Sequence, residues 1–297
     1  MTSCAPEHQS WTQLEARAAE PLIQLAIAED LGAAGDRTSQ LLPQGLQGRA
    51  ALVARSPGVV AGLPIAPMVY RALGANLQFS FAVADGEQVS RGTALATIQG
   101  LMRDLLTGER MVLNFLQRLS GVATQTRRFV DAIAGLPCRL LDTRKTTPGW
   151  RALEKYAVRC GGGENHRMGL FDGVMFKDNH LAALGRLEDP IGHAVAIARA
   201  QTPKGMLVEV EVDTLEQLGQ ALKAHPDRIL LDNMSIAVLS QAVERRDRAA
   251  PDVQLEASGG ITLDTARAVA ETGVDYISSG ALTHSAPALD IALDYRQ

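Results

Sequence analysis

Apolar residues recur along this chain in two rhythms, and the change from one to the other divides it. After a polar first stretch of twenty residues, Pro21 is expected to open a helix with Leu22, Leu25, Ala26 and Ile27 on its apolar side, ended by Gly32 and Gly35. RAALVARSPGVVAG reads as two short strands around Pro57-Gly58, and a helix is expected from Pro64 to Leu73. NLQFSFAV alternates with period two, Asp85-Gly86 suits a hairpin turn, and TALATI returns as a strand, so the chain to Gly100 forms a small α+β unit. Leu101 to Ala134 is helical, with a break expected near Ser120-Gly121. Leu105, Leu106, Val112, Leu113, Leu116 and Leu119 share one face of it, and Arg103, Thr107, Arg110, Asn114 and Gln117 form a polar stripe that solvation alone would explain.

After Gly135-Leu136-Pro137 the rhythm becomes a regular alternation. The strands are CRLLD, GVMFK, LVEVEV, RILLD, VQLEAS and VDYISSG, with helices beginning near Pro148, Asp189, Leu215, Ser235 and Thr262. Repeated β-α units imply parallel strands with right-handed crossovers, and a barrel with fewer than eight clear strands is the expected form.

What ends each strand points to chemistry. In order come Asp142-Thr143-Arg144-Lys145, Lys177-Asp178-Asn179-His180, Glu209 with Glu211, Asp232-Asn233, Ser258-Gly259-Gly260 and Ser278-Ser279-Gly280. Strand C-termini are where barrel sites are built, so convergence of six such ends on one rim favours a site over coincidence. Glu209 and Glu211 are two apart and point the same way, so they need cations or a metal. Lys177 or Arg144 across the barrel could serve, or Mg²⁺ held with Asp232; a structural ion-pair layer is the plain alternative, most of all for Glu209. The glycine turns at 259–260 and 280 precede helical starts, where bare amides cradle phosphate, although tight turns explain glycines equally well. His166 stands beside Arg167 beyond Gly161-Gly162-Gly163, which lacks dinucleotide-binding spacing.

Charge sharpens this picture. The 297 residues carry a net charge of −4, which argues against general nucleic-acid binding, while cations concentrate between Asp142 and His180 and suit a small polyanion. Cys4, Cys138 and Cys160 have no CxxC spacing, so neither a disulfide framework nor a zinc site is expected. No run reaches the roughly 18 apolar residues of a membrane span, and Met1 to Glu20 is unlike a signal peptide, so a cytoplasmic protein is expected.

DTRKTTPGWRALEKYAVRCGGGENHR, GVMFKDNH, EVEVDT, LLDNMS, EASGGI and DYISSGALTHS, with EDLGAAGDRTS and GERMVLNFLQRLSGVAT earlier, resemble the quinolinate phosphoribosyltransferases, also called carboxylating nicotinate-nucleotide pyrophosphorylases. The likeness runs from about Leu22 to Ala292. It implies an N-terminal α/β sandwich domain (21–134, joined by the tail 283–297) and an incomplete, open TIM-like α/β barrel (135–282), after an extension over residues 1–20. It implies a homodimer or higher oligomer that couples quinolinate to 5-phosphoribosyl 1-diphosphate with Mg²⁺, releasing pyrophosphate and CO₂. By motif position Arg144, His166, Arg167 and Lys177 would surround the quinolinate carboxylates, with Lys145 beside them, and Arg110 would come from the neighbouring subunit. Glu211 and Asp232 would take the ribose hydroxyls and the metal. Ser258, Gly259, Gly260, Ser279 and Gly280 would hold the 5-phosphate. Lys145, Lys177, Glu211 and Asp232 are the catalytic candidates. A transferase acting on nicotinate without decarboxylation, a noncatalytic binder of the same fold and a barrel isomerase or aldolase remain alternatives at this point.

Overall fold

The structure, a computed structural model, describes residues 10–184 and 188–296, so the first nine residues of the expected extension, Cys4 among them, lie outside it. It divides into two compact units. The first takes the described residues up to Arg127, with Thr146–Gly163 and the chain from Leu282 onward; the second takes Arg128–Lys145 and Glu164–Ala281. Thr146–Gly163, which lies between the first two strands of the β-α alternation, thus clusters with the first unit.

In the first unit helix α1 spans Gln13–Leu31 and begins eight residues before the proline expected to open it. Thr12 caps it and Glu15 closes a capping box, the Thr12 N–H donating to Glu15 Oε2 at 2.9 Å. Pro21 lies inside the helix. Glu15 is buried because Arg159 donates to its other oxygen at 2.8 Å, and Trp11 meets the Tyr156 ring edge-on at 5.1 Å. Strands β1 (Gln47–Ala54) and β2 (Gly58–Val59) precede helix α2 (Ile65–Ala72); β3 (Gln78–Phe81), β4 (Gln88–Val89) and β5 (Ala94–Leu101) follow. The two alternating segments pair as expected, β3 antiparallel to β5, but Asp85 does not turn one directly into the other. It is drawn inward to accept the N–H groups of Gly62 and Leu63 (2.9 and 3.1 Å) and the Tyr156 hydroxyl (2.7 Å).

Helix α3 (Met102–Ala132) runs unbroken through Ser120-Gly121. Ser120 serves the neighbouring segment by accepting the Ala61 N–H at 3.0 Å, and a Cβ at Gly121 would stand 2.2 Å from the Pro287 carbonyl oxygen. That glycine permits close approach of backbones and does not mark a break. Gly161 is of the same kind, its missing Cβ falling 2.5 Å from the Ala123 carbonyl oxygen.

In the second unit all six expected strands are present: β6 (Arg139–Leu141), β7 (Val174–Phe176), β8 (Val208–Val212), β9 (Arg228–Asp232), β10 (Gln254–Ser258) and β11 (Tyr276–Ser278). They form one parallel sheet in the order β6-β11-β10-β9-β8-β7. Chain order is kept all the way round, with β11 returning to β6, and the pairing that would close the ring, β6 to β7, is missing. The barrel is therefore open at one seam. There Glu164 forms a single parallel bridge to Leu141, with N–H groups exchanged at 2.8 and 3.2 Å.

Helix α4 (Arg151–Cys160) follows β6, and a short α5 (Asp178–Ala183), not foreseen from the pattern, follows β7. Helices α6 (Pro190–Gln201), α7 (Leu215–Ala224), α8 (Ile236–Ala249) and α9 (Leu263–Ala270) start where expected, α6 to α8 with Asp189, Thr214 and Ser235 as side-chain caps. After a one-turn α10 (Ala281–His284), strand β12 (Ile291–Arg296) lies antiparallel to β1. In the first sheet the order is β12-β1-β5-β3.

Candidate active site

The barrel strands reverse the usual sense of alternation. On β8 Val208, Val210 and Val212 are buried toward the outer helices, and Glu209 and Glu211 point inward. The same register places Met175 and Lys177, Arg228, Leu230 and Asp232, Glu256 and Ser258, and Tyr276 and Ser278 in the interior. These fall in two levels.

The lower level is closed. Glu209, Glu256 and Tyr276 are at most 4% exposed. Arg228 donates from Nη1 to Glu256 Oε2 at 3.1 Å, and its guanidinium stacks 4.0 Å from the Tyr276 ring centre; Arg139 lies over the same ring at 4.3 Å and bonds its hydroxyl. His166 caps this level. Its Nε2 is 3.0 Å from Glu209 Oε2 and 3.4 Å from Glu256 Oε2, close in distance although poor in angle, and its Nδ1 accepts the Arg167 N–H at 2.7 Å.

Burial disfavours charge on His166, but Glu209 and Glu256 outweigh it and hold the group's proton to about pH 9. Burial raises the Glu209 carboxyl, and the nearby Glu256 charge raises it further. Burial acts the same way on Glu256, yet His166, Ser278 and Arg228 overcome it and hold that carboxyl below its ordinary range. An N–H pointing at Nδ1 leaves no lone pair there for a second ring proton. The ring therefore keeps one proton, on Nε2, and the extra proton held by the pair sits with the Glu209 carboxyl. The donor atoms of His166, Glu209 and Glu256 lie within 4.8 Å of one another, a spacing fit for a cation, but Arg228 and this proton already balance the two acids.

The upper level opens into a cavity of about 190 Å³. Arg144, Lys145, His166, Arg167, Lys177, Glu211, Asp232 and Ser258 line it, so the structure brings together most of the residues singled out from the sequence. Lys177 Nζ is paired with Glu211 Oε2, which answers what balances Glu211; Glu209 is faced instead by His166. Asp142, fully buried at the end of β6, accepts the His166 N–H at 2.9 Å and the Asn165 amide at 2.7 Å, and so pins the segment carrying His166 and Arg167. Arg167 donates to the Gly173 carbonyl at 3.1 Å and is 3.5 Å from Met175 Sδ. Burial, then the charge of Arg144, lowers its pKa, the mark of a rim crowded with cations.

Five candidates do not line the cavity. Arg110 is exposed on α3 in the first unit. Gly259 (φ 92°) and Gly260 (φ 61°) form the turn after β10, where a Cβ at Gly259 would stand 2.2 Å from Asn233 Oδ1. Ser279 spends its hydroxyl on the Ile261 carbonyl (3.0 Å) and the Ala281 N–H (3.3 Å), beside Gly280. Thr143 and Ser278, which stand in the strand-end groups but carry no assigned role, also line it, as do Met175, Leu230 and Glu256, which the period-two count from Lys177, Asp232 and Ser258 reaches.

An open parallel barrel whose strand C-termini gather cations, two carboxylates and glycine turns defines a barrel enzyme for a polyanionic ligand. Family models describe the same chain: the quinolinate phosphoribosyl transferase N-terminal domain matches residues 36–120 and the C-terminal domain residues 122–294. The chain belongs to the quinolinate phosphoribosyltransferase family. It is 46% identical to the nicotinate-nucleotide pyrophosphorylase [carboxylating] of Mycobacterium leprae over 93% of this chain and 97% of that one. To the probable enzyme of the same name from Synechocystis it is 44% identical, covering 92% and 91%. The solved nicotinate-nucleotide pyrophosphorylase of Francisella tularensis superposes with a TM-score of 0.87 at 38% identity, over 97% of this chain and all of that one.

Proposed function

We propose that this protein transfers the phosphoribosyl group of 5-phosphoribosyl 1-diphosphate to the ring nitrogen of quinolinate, with decarboxylation, giving nicotinate mononucleotide, pyrophosphate and CO₂, a step of NAD biosynthesis. The observation that carries this reading is one cavity lined by Arg144, Lys145, Arg167 and Lys177 together with Glu211 and Asp232. Quinolinate carries two adjacent carboxylates. Each gains about 4 kcal/mol from a cation 4 Å away at an effective dielectric of 20, before desolvation is subtracted, so several cations can hold a small dianion. Arginine's planar fork suits a carboxylate in particular.

In this reading Arg144, Arg167 and Lys177 face the two carboxylates, with His166 beneath and Lys145 toward phosphate. Glu211 and Asp232 take the ribose hydroxyls, and the backbone around Ser258, Gly259, Gly260, Ser279 and Gly280 receives the 5-phosphate. The pyridine nitrogen meets C1 of the ribose as pyrophosphate leaves, and Glu211 and Asp232 stabilise positive charge on the sugar. The ring nitrogen is then positive. The 2-carboxylate departs as CO₂, leaving its electron pair at C2 to take a proton.

Both Glu211 and Asp232 present carboxylate oxygens to the cavity, the hard donors that Mg²⁺ accepts, and one or two carboxylates completed by substrate phosphate is the usual way that ion is held. Mg²⁺ would neutralise the diphosphate and ease its departure. Arg110 is assigned to the neighbouring subunit's site in a homodimer, which fits its exposure on α3. No helix among the described residues is long and apolar enough to cross a membrane, and Cys138 and Cys160 are buried free thiols, which suits the reducing cytoplasm.

The test is to supply the protein with quinolinate, 5-phosphoribosyl 1-diphosphate and Mg²⁺, with nicotinate as a parallel substrate. Nicotinate mononucleotide and CO₂ appearing together from quinolinate alone is the expected result. Product from nicotinate without CO₂, or none from either acid, would refute it.

A further inference from the structure

The family resemblance would make the His166 imidazole a ligand of quinolinate and leaves it a candidate to protonate C2. Its surroundings give it other work. The Nε2 edge faces Glu209 and Glu256 at 3.0 and 3.4 Å, and the imidazole is only 7% exposed. The opposite nitrogen, Nδ1, is occupied by the Arg167 N–H at 2.7 Å. The backbone N–H of His166 is held in turn by the buried Asp142 carboxylate at 2.9 Å. Arg167 then reaches the Gly173 carbonyl and Met175 Sδ, at the start of β7, the strand that leads to Lys177.

We propose that His166 is a positioning residue whose two ring nitrogens are committed inside the protein, one to the Glu209–Glu256 pair and one to the Arg167 N–H. It thereby fixes where the Arg167 guanidinium stands and does not deliver the proton to C2. This rests on the reading of the site as a quinolinate site. In the decarboxylation step the C2–carboxylate bond breaks, its electron pair stays on C2, and the new C–H bond takes its proton from water on the open side of the cavity, the hydroxide being neutralised by solvent.

Three observations support that division of labour. Both carboxylates facing Nε2 are at most 1% exposed, so that edge of the ring is engaged by the protein's own acids, although Glu256 also lines the cavity. Neither Glu209 oxygen has a well-aligned hydrogen bond of its own, so the imidazole edge is what faces that charge. A nitrogen that accepts a main-chain N–H from the next residue is also the natural means of setting that residue's backbone, and with it the direction of its side chain.

Two measurements decide the matter. In full-length protein labelled with ¹⁵N-histidine, His166 is expected to carry its proton on Nε2 with Nδ1 unprotonated, and this pattern should persist when quinolinate is added. A proton that moves between the nitrogens, or leaves the ring, on binding would overturn the proposal. In parallel, His166→Gln keeps an amide nitrogen near the Nε2 position and His166→Asn an oxygen near Nδ1. Each is expected to raise KM for quinolinate about tenfold while kcat changes by less than about threefold, the pattern for a group that orients a ligand-binding neighbour. A fall in kcat of about a hundredfold or more with KM unchanged is the signature of a lost general acid and would refute it. If unaltered protein fails to convert quinolinate, the functional reading falls, and the ring-nitrogen measurement on ligand-free protein still tests whether His166 is committed as described.

Discussion

The two levels of the barrel interior are built from the same strands, often two residues apart, and they have opposite fates. Glu209 and Glu256 lie in the lower level, answered by Arg228 and by the proton held with His166 and floored by Tyr276, with Glu256 also reaching the cavity wall; Glu211 and Ser258, each one inward position further along, face the cavity. Charge in the lower level is spent on the protein itself. Charge in the upper level is presented to a ligand, with the Lys177–Glu211 pair at its edge, where the Lys177 side chain remains 44% exposed. A single barrel can therefore hold a structural ion network and a functional one in adjacent layers, and what separates them is whether every partner comes from the chain.

That contrast can be broken from either side. The largest effect is expected at the rim. Arg144→Ala or Lys177→Ala should lower kcat/KM for quinolinate by about a thousandfold, on the order of 4 kcal/mol of transition-state binding, while the thermal midpoint stays within a few degrees of the unaltered protein. Unchanged kinetics in both would remove the rim from the reaction. Next comes the lower level: Glu256→Leu leaves Arg228 without its carboxylate and should cost about 3 kcal/mol in urea unfolding. Replacing Arg228 by Met in the same chain should recover much of that loss; no recovery would show that the pair is not a closed unit.

The most gradual effect is in pH. The His166 proton is held to about pH 9 in the folded protein against an ordinary value of 6.5, so its contribution is complete below about 6.5 and is lost as pH rises through about 9. Glu209, also raised, acts in the same sense. Stability should therefore decline between those limits by at most about 1.4 kcal/mol per pH unit, one proton's worth, and His166→Gln should flatten the decline. A flat profile in the unaltered protein would contradict the proton held by the pair.

The strand ends were legible because each barrel strand is a short apolar run whose polar terminus falls at a fixed place in a β-α repeat. Partners were not. That Glu209 would answer to His166 and Arg228 depends on cross-barrel register, in which Glu209 stands level with Arg228, and on a loop returning over both; no spacing along the chain encodes either. Arg228 looked like the polar start of RILLD and is 8% exposed, because the lower end of this barrel is shut by Tyr276. Pro21 suggests a helix start because proline commonly opens helices, but the start is set by the Thr12–Glu15 capping box, whose cap stands nine residues earlier. Gly121 failed for a related reason: a glycine in a helical pattern looks the same whether the helix bends there or another backbone presses against it.

The open seam between β6 and β7 has a cost in colloidal behaviour. Unpaired strand edges are templates for other chains, and here residues 164–173 stand guard, Glu164 bridging Leu141 at one edge and Arg167 capping the Gly173 carbonyl at the other. The same ten residues carry His166 and Arg167, and at their tip Leu170 and Phe171 are about three-quarters exposed. Any event that peels this segment away would at once dismantle the site and bare two adhesive edges beside two apolar side chains. Inactivation and aggregation would then share one opening, and an anion bound to Arg167 is expected to slow both.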